Sequence, residues 1–173
     1  MKIQTIEPRT ERLQLRQWAC RDRDSFAAMS AGPQMLEFFP GSLNRSESDA
    51  IVDTCEGLIS ERGLGGWAAE LLEAREFIGF IGLHIPHEEL PPSPCVEILW
   101  RLAPSHCGYG YATEGVTASL DVGFKPLDLT EIVFFAVPSN HRSRAVMERL
   151  KMTSHNSRVQ KAFYLNPTKL LGS

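Results

Sequence analysis

The sequence has no long apolar run, no dense basic stretch and no paired cysteines, and each absence removes a class of protein. Apolar runs such as Ile132-Val-Phe-Phe-Ala-Val137 stop far short of the roughly 20 residues that cross a bilayer, so no membrane partner is expected. The opening Met1-Lys-Ile-Gln-Thr-Ile-Glu-Pro-Arg-Thr-Glu-Arg12 turns charged before any apolar stretch could serve as an export signal, and a cytoplasmic protein is expected. Lys and Arg number 18 against 21 Asp and Glu, and they are scattered rather than clustered. Nothing is therefore placed to neutralise a row of phosphates, and nucleic acid is not expected as a partner. Cys20, Cys55, Cys95 and Cys107 show no CxxC spacing, which gives neither a disulfide framework nor a zinc site and leaves them as small hydrophobes in or near the core. His84-Ile-Pro-His87 lacks the carboxylate and the helical placement of a metal site, so no metal is expected.

What is present is an ordinary apolar share of 43% in 173 residues, enough for one hydrophobic core, with no internal repeat or low-complexity linker. We expect one domain over 1–173. Leu13-Gln-Leu-Arg16 alternates like a half-buried strand, and a short helix follows from Arg21 through Phe26 to Met29. Leu36, Phe38 and Phe39, between Gly32-Pro33 and Pro40-Gly41, are apolar groups that must cover something. Ser46-Glu-Ser-Asp49 reads as a capping box for a helix that presents Ile51, Val52, Cys55, Leu58 and Ile59 on one face and ends near Gly63. Trp67–Leu72 and Glu76–Leu83 have hairpin spacing, and Gly79 and Gly82 suggest a bulge or a close backbone approach in the second strand. Cys95–Leu102 is another strand, Thr113–Phe124 a helix stopped by Pro126, Glu131–Val137 a buried strand, and Asn140–Leu150 a helix capped by Ser139 or Asn140. Beyond Met152 only Ala162–Leu165 has strand character, so 152–173 reads as an atypical segment. The order β-α-α-β-β-β-α-β-α-β gives an α/β fold with a mixed sheet.

The segment Ala103-Pro-Ser-His-Cys-Gly-Tyr-Gly-Tyr-Ala-Thr113 joins a strand to a helix. Its two glycines free the backbone to turn successive N–H groups inward, and the helix dipole adds positive potential, so a diphosphate is the natural ligand. A Walker-type loop would need Lys followed by Ser or Thr after Gly110, and neither is there. A dinucleotide fingerprint would need a glycine where Thr113 stands and a turn directly off the strand, whereas five residues separate Leu102 from Gly108.

Trp100-Arg-Leu-Ala-Pro-Ser-His-Cys-Gly-Tyr-Gly-Tyr-Ala-Thr-Glu114 resembles the acetyl-CoA motif of the GNAT acyltransferase superfamily, especially the branch of ribosomal-protein N-acetyltransferases. That motif runs Arg/Gln-x-x-Gly-x-Gly/Ala; His106 is read at the Arg/Gln position, and Gly108 and Gly110 match. Thr10-Glu-Arg-Leu-x-Leu-Arg16 is similar to the branch's opening strand and Asn140-x-x-Ser-Arg-x-x-Met-Glu-Arg-Leu150 to its last helix, so the resemblance reaches Met152. It implies a GNAT-like fold and transfer of an acetyl or other short acyl group from acetyl-CoA to a primary amine in a ternary complex. The acceptor would be a protein N-terminus or a small amine of aminoglycoside or polyamine type, and the slight acidity mildly favours a cationic one. A homodimer is left open. The backbone of Trp100, Arg101 and Leu102 would pair with the pantetheine arm. His106 and the amides of Cys107, Gly108, Tyr109, Gly110, Tyr111, Ala112 and Thr113 would hold the pyrophosphate. Asn140 would contact the arm near the thiol, and Ser143 and Arg144 would reach the phosphates or the adenine end.

Such a reaction needs a neutral amine, a donor for the oxyanion and a route out for the amine proton. An N–H near Leu99–Arg101 is the expected oxyanion donor, and Glu97 the candidate base. The alternative for Glu97 is a solvent-facing or Arg-paired side chain. Some relatives protonate the leaving thiolate with a Tyr on the last helix; none stands in Asn140–Leu150, which leaves Ser143 or a water. Lys151 replaces the glycine that usually ends that helix. A catalytically silent acyl-CoA-binding module and a dinucleotide binder are the rival readings.

Overall fold

The computed structural model describes residues 4–33, 42–85, 96–136, 141–156 and 161–165. Its chain order is β1 (Leu13–Arg16), α1 (Cys20–Ala31), α2 (Arg45–Arg62), β2 (Gly66–Leu71), β3 (Glu76–His84), β4 (Glu97–Leu102), a 3-10 turn (Pro104–His106), α3 (Tyr111–Phe124), β5 (Ile132–Ala136), α4 (His141–Arg149), β6 (Thr153–Asn156) and β7 (Lys161–Leu165). The strands form one mixed sheet in the spatial order β1-β2-β3-β4-β5-β7-β6, in which only the β4/β5 pair is parallel. The mixed α/β class matches the expectation. The tail does not: it holds a two-strand antiparallel hairpin rather than one strand, and β7 pairs with β5. The strand Thr153-Ser-His-Asn156 carries no apolar residue, so its alternation was invisible in the sequence.

The first half is built from local signals that agree. Leu13 and Leu15 are fully buried while Gln14 and Arg16 are only partly so, as the alternation requires. Helix α2 is capped two residues earlier than the sequence suggested: the Asn44 side chain accepts from the Glu47 N–H at 2.8 Å, and Glu47 accepts from the Asn44 N–H at 3.1 Å. The helix ends at Gly63, whose φ of 75° places it in the left-handed region. Between β2 and β3 the ladder slips where Ala69 and Glu70 face Gly79 and Phe77, which leaves Ile78 as the extra residue of a bulge in the second strand, beside Gly79 as expected. Close approach accounts for the glycines of β3. A methyl group at Gly79 would collide with the Arg101 carbonyl oxygen, and one at Gly82 with that of Gly65.

The two faces of the sheet can be told apart by their partners. Gly115 brings α3 against Ile81, and Gly123 brings it against Leu83 and Ile132, so these side chains define the α3 face. On the opposite face Phe80 meets Phe26 of α1 edge-on, with centroids 5.5 Å apart, and Trp18 lies beside both rings. A buried ion cluster pins that face at the start of α1: the Arg16 guanidinium donates to both Asp22 oxygens at 2.7 and 3.0 Å and to Glu70 at 2.8 Å. Asp22 is 0% exposed and also accepts from the Ala19 N–H at 2.7 Å. Of the cysteines, Cys55 is buried and Cys107 half-buried, but Cys20 is exposed because it opens α1 on the side away from Phe26, against the expectation of core placement. Cys95, Leu36, Phe38 and Phe39 lie outside the described residues. No described helix is long and apolar enough to cross a membrane.

Candidate active site

The ladder between β4 and β5 has one register position, Glu97 opposite Val133, closed by a Val133 N–H to Val96 carbonyl bond of 3.0 Å. By contrast, β4 pairs with β3 along its whole length, from His84↔Glu97 to Gly79↔Leu102. Backbone groups alternate sides along a strand, so every second amide and carbonyl of Ile98–Leu102 faces β5, where the pairing stops. Such groups need partners, and an extended ligand with amide groups of its own supplies them. On the α3 face the Trp100 ring stacks across to Phe134 with centroids 4.6 Å apart and planes 15° from parallel.

Glu97 sits at the vertex of this wedge. The register places it with Leu99 and Arg101 on the Phe80 side of β4, opposite the Trp100 side. Burial pushes its carboxyl pKa up to about 7, a value suited to taking a proton near neutrality. Burial also lowers the Arg101 guanidinium from its ordinary value.

Past Leu102 the chain makes the 3-10 turn and then two left-handed residues, Gly108 at φ 87° and Gly110 at φ 84°, before α3 begins at Tyr111. Alternating left-handed geometry of this kind points successive N–H groups to one side. The first turn of α3 has no side-chain cap, so its amides and the positive end of the helix dipole face outward together. The Cβ position of Gly108 meets nothing within 4 Å, which leaves the backbone approachable there. A cavity of about 600 Å³ opens on the same flank, lined among others by Arg9, Thr10, Gly110, Thr113, Thr117 and Arg149. The loop suits a diphosphate by its amides rather than by a lysine.

Trp100, Arg101 and Leu102 thus lie on the strand and Cys107, Gly108, Tyr109 and Gly110 on the loop, while Tyr111, Ala112 and Thr113 form the first turn of α3, which starts two residues earlier than the sequence suggested. His106 needs a correction. Counted three residues back from Gly108, the Arg/Gln position of the motif is Ser105, so His106 stands one residue off it. Its ring is engaged locally, Nε2 lying 3.5 Å from Glu76 and Nδ1 3.1 Å from the Ser105 hydroxyl. The Cys107 Sγ–H donates to the Ala103 carbonyl at 3.7 Å, a local contact that does not involve His106. Ser143 and Arg144 are half-buried on α4, a turn ahead of the buried Val146 and Met147. Asn140 falls outside the described residues. Trp67 is fully buried in the core. Sequence reasoning missed Arg12 and Glu114, which meet beside the loop at 3.1 Å across about a hundred residues of chain. Arg12 stood in the quoted Thr10-Glu-Arg-Leu13 string but had no chemistry attached.

The family model described as the acetyltransferase (GNAT) domain matches residues 12–153. The chain belongs to the GNAT acetyltransferase family. The GNAT family uses acetyl-CoA. The chain is similar to YoaA of Bacillus subtilis, named an N-acetyltransferase, with 26% identity over 162 residues that span 92% of this chain and 89% of YoaA. An acetyltransferase structure from Agrobacterium tumefaciens superposes with a TM-score of 0.83 at 27% identity, covering 96% of this chain and 97% of that one. The spermidine N-acetyltransferase of Vibrio cholerae, solved with CoA and spermine, has the same fold at 19% identity, with a TM-score of 0.73 and coverage of 94% and 100%. Ribosomal-protein acetyltransferases are also among the structural neighbours.

Proposed function

We propose that this GNAT acetyltransferase binds acetyl-CoA along β4 and the Gly108–Gly110 loop, and passes its acetyl group directly to a primary amine, with a protein N-terminus as the acceptor. One observation carries the reading. A parallel strand pair that parts at Glu97 leads straight into an uncapped helix start with two left-handed glycines, which gives an extended thioester arm and its diphosphate adjoining berths. In that arrangement the backbone of Trp100–Leu102 pairs with the arm, and the amides from Cys107 to Thr113 surround the diphosphate. The neutral amine nitrogen attacks the thioester carbon, and a C–N bond forms. An N–H near Leu99–Arg101 steadies the oxyanion. Glu97, directly or through water, removes the proton from the attacking nitrogen, and the C–S bond then breaks. The leaving thiolate, whose thiol has a pKa of about 8.5, takes a proton from Ser143 or from water.

Pairing of β7 with β5 supports a single domain that includes the tail, and the ordinary composition supports a cytoplasmic setting. A polyamine acceptor is the second reading, favoured by the slight excess of acid and by the spermine held in the V. cholerae neighbour.

Thiol release from acetyl-CoA, followed across N-terminal peptides, polyamines and aminoglycosides, tests the proposal. Release with peptides and not with polyamines supports it. The reverse result moves the acceptor to the second reading. Tight CoA binding with no release from any amine would make the chain a silent acyl-CoA-binding module, and preference for NAD over CoA would overturn the site itself.

A further inference from the structure

The loop that would hold the diphosphate is not self-supporting, and the prop comes from the other end of the chain. Arg12, just ahead of β1, donates from Nη1 to the Tyr109 carbonyl at 3.0 Å and from Nε to Glu114 Oε1 at 3.1 Å. Thr10 Oγ1 donates to the other Glu114 oxygen at 2.8 Å. The guanidinium carbon sits 4.4 Å from the centroid of the Tyr111 ring, which in turn stacks on Tyr109 at 5.9 Å. Arg12 Nη2 also lies 3.4 Å from where a Cβ on Gly110 would be, so the side chain lies against the backbone of the loop. The hook is itself anchored. The Leu72 N–H donates to the Arg12 carbonyl at 2.9 Å, and the Leu13 N–H to Thr10 Oγ1 at 2.9 Å.

This contact selects one orientation of a peptide unit. The Tyr109 carbonyl and the Gly110 N–H belong to the same trans peptide, so they point in opposite directions. Between two left-handed glycines that unit has little else to hold it. Flipped over, it would aim a carbonyl dipole at the anion and turn the Gly110 N–H away. A second effect is electrostatic. Glu114 lies in the first turn of α3, where its charge favours the helix but repels an arriving diphosphate, and Arg12 with Thr10 occupies both of its oxygens.

We propose that Arg12 is a positioning residue for acetyl-CoA: it holds the Tyr109–Gly110 peptide in its anion-binding orientation and screens Glu114. The proposal rests on reading the loop as the diphosphate site. Calorimetric titration with CoA and with dephospho-CoA, which lacks the 3′-phosphate, tests it on the full chain. Arg12→Met keeps the apolar stem and loses the fork; it is expected to weaken both ligands by the same factor, about tenfold or more, and to raise KM for acetyl-CoA while kcat and the acceptor KM change less than twofold. Amide exchange at Gly108–Tyr111 should quicken in the ligand-free Arg12→Met protein. Arg12→Lys keeps the charge and the fold but cannot reach the Tyr109 carbonyl and Glu114 together, and an intermediate loss of about threefold is expected. It decides the matter if the Met variant does not fold. Unchanged CoA affinity in a folded Met or Lys variant overturns the proposal and leaves the site reading standing. A loss confined to CoA and absent for dephospho-CoA also overturns it, by making Arg12 a direct phosphate ligand. No CoA binding by the parent chain would instead sink the reading of the loop.

Discussion

Strands β2 and β3 pair at six register positions, whereas β4 and β5 of the same sheet pair at one. Along the first ladder most residues are buried, and α1 and α2 cover one face while α3 covers the other. The second pair opens after Glu97 into a gap spanned by the stacked rings of Trp100 and Phe134, and it runs on into a loop with two left-handed glycines. Charge is handled differently as well. In the closed half the carboxylates of Asp22 and Glu70 are buried against the Arg16 guanidinium; in the open half burial raises the Glu97 carboxyl to a pKa of about 7. One region uses its polar groups to fix the scaffold, and the other leaves them available to a ligand.

This contrast breaks most sharply at Asp22. Asp22→Ala removes two of the carboxylate bonds of Arg16, which keeps Glu70, and leaves the Ala19 N–H without its acceptor, so about 3 kcal/mol of stability should be lost in chemical denaturation. The KM for acetyl-CoA of the folded fraction should not move. In Glu97→Gln stability and activity should part company. The Glu97 carboxyl has a folded pKa of about 7, above its ordinary value of 4.5, so the folded state binds the extra proton between those values. The parent therefore loses stability as pH rises through that window. The Gln variant should be more stable than the parent by about 3 kcal/mol at pH 8, and the difference should vanish below pH 4.5. The same variant should transfer acetyl groups about 100-fold more slowly at pH 8 with unchanged CoA affinity, and the rise of the parent's rate to a plateau above about pH 7 should disappear from its profile. Equal rates for parent and variant would remove Glu97 as base. The smallest effect concerns Lys151, which sits at φ 58° just past α4, where the Met152 N–H closes on the Met147 carbonyl at 3.1 Å. Lys151→Gly relieves the left-handed strain and should raise the melting free energy by up to about 1 kcal/mol, less the entropy that glycine adds to the unfolded chain.

The closed half and the loop were the parts most legible in the sequence, and for a shared reason. Leu13-Gln-Leu-Arg16 and the residues from Trp67 to Leu83 alternate or run apolar because both faces are covered by the fold's own elements, and Gly108 and Gly110 stand where their segment takes left-handed backbone. Three things could not be read that way. Strand β6 is polar, so pairing with β7 rather than side-chain pattern makes it a strand. The opening of β4 from β5 is a missing set of bonds, and no residue type encodes an absence. The Arg12–Glu114 hook joins residues about a hundred positions apart, a pairing that appears only once the sheet has brought the start of β1 to the start of α3. The shift of the α2 cap from Ser46 to Asn44 is of another kind, since both sites offered a capping side chain with a carboxylate three residues on.

The position of β7 has a consequence for how the protein is made. It lies between β5 and β6, so the strand that forms the far wall of the wedge gains its second neighbour only when residues 161–165 have left the ribosome. Until then β5 has β4 on one side, paired at a single position, and no strand on the other. The strands that carry Arg12 and its neighbours precede the wedge in the chain, and the far wall of the wedge is completed only after β7 has emerged.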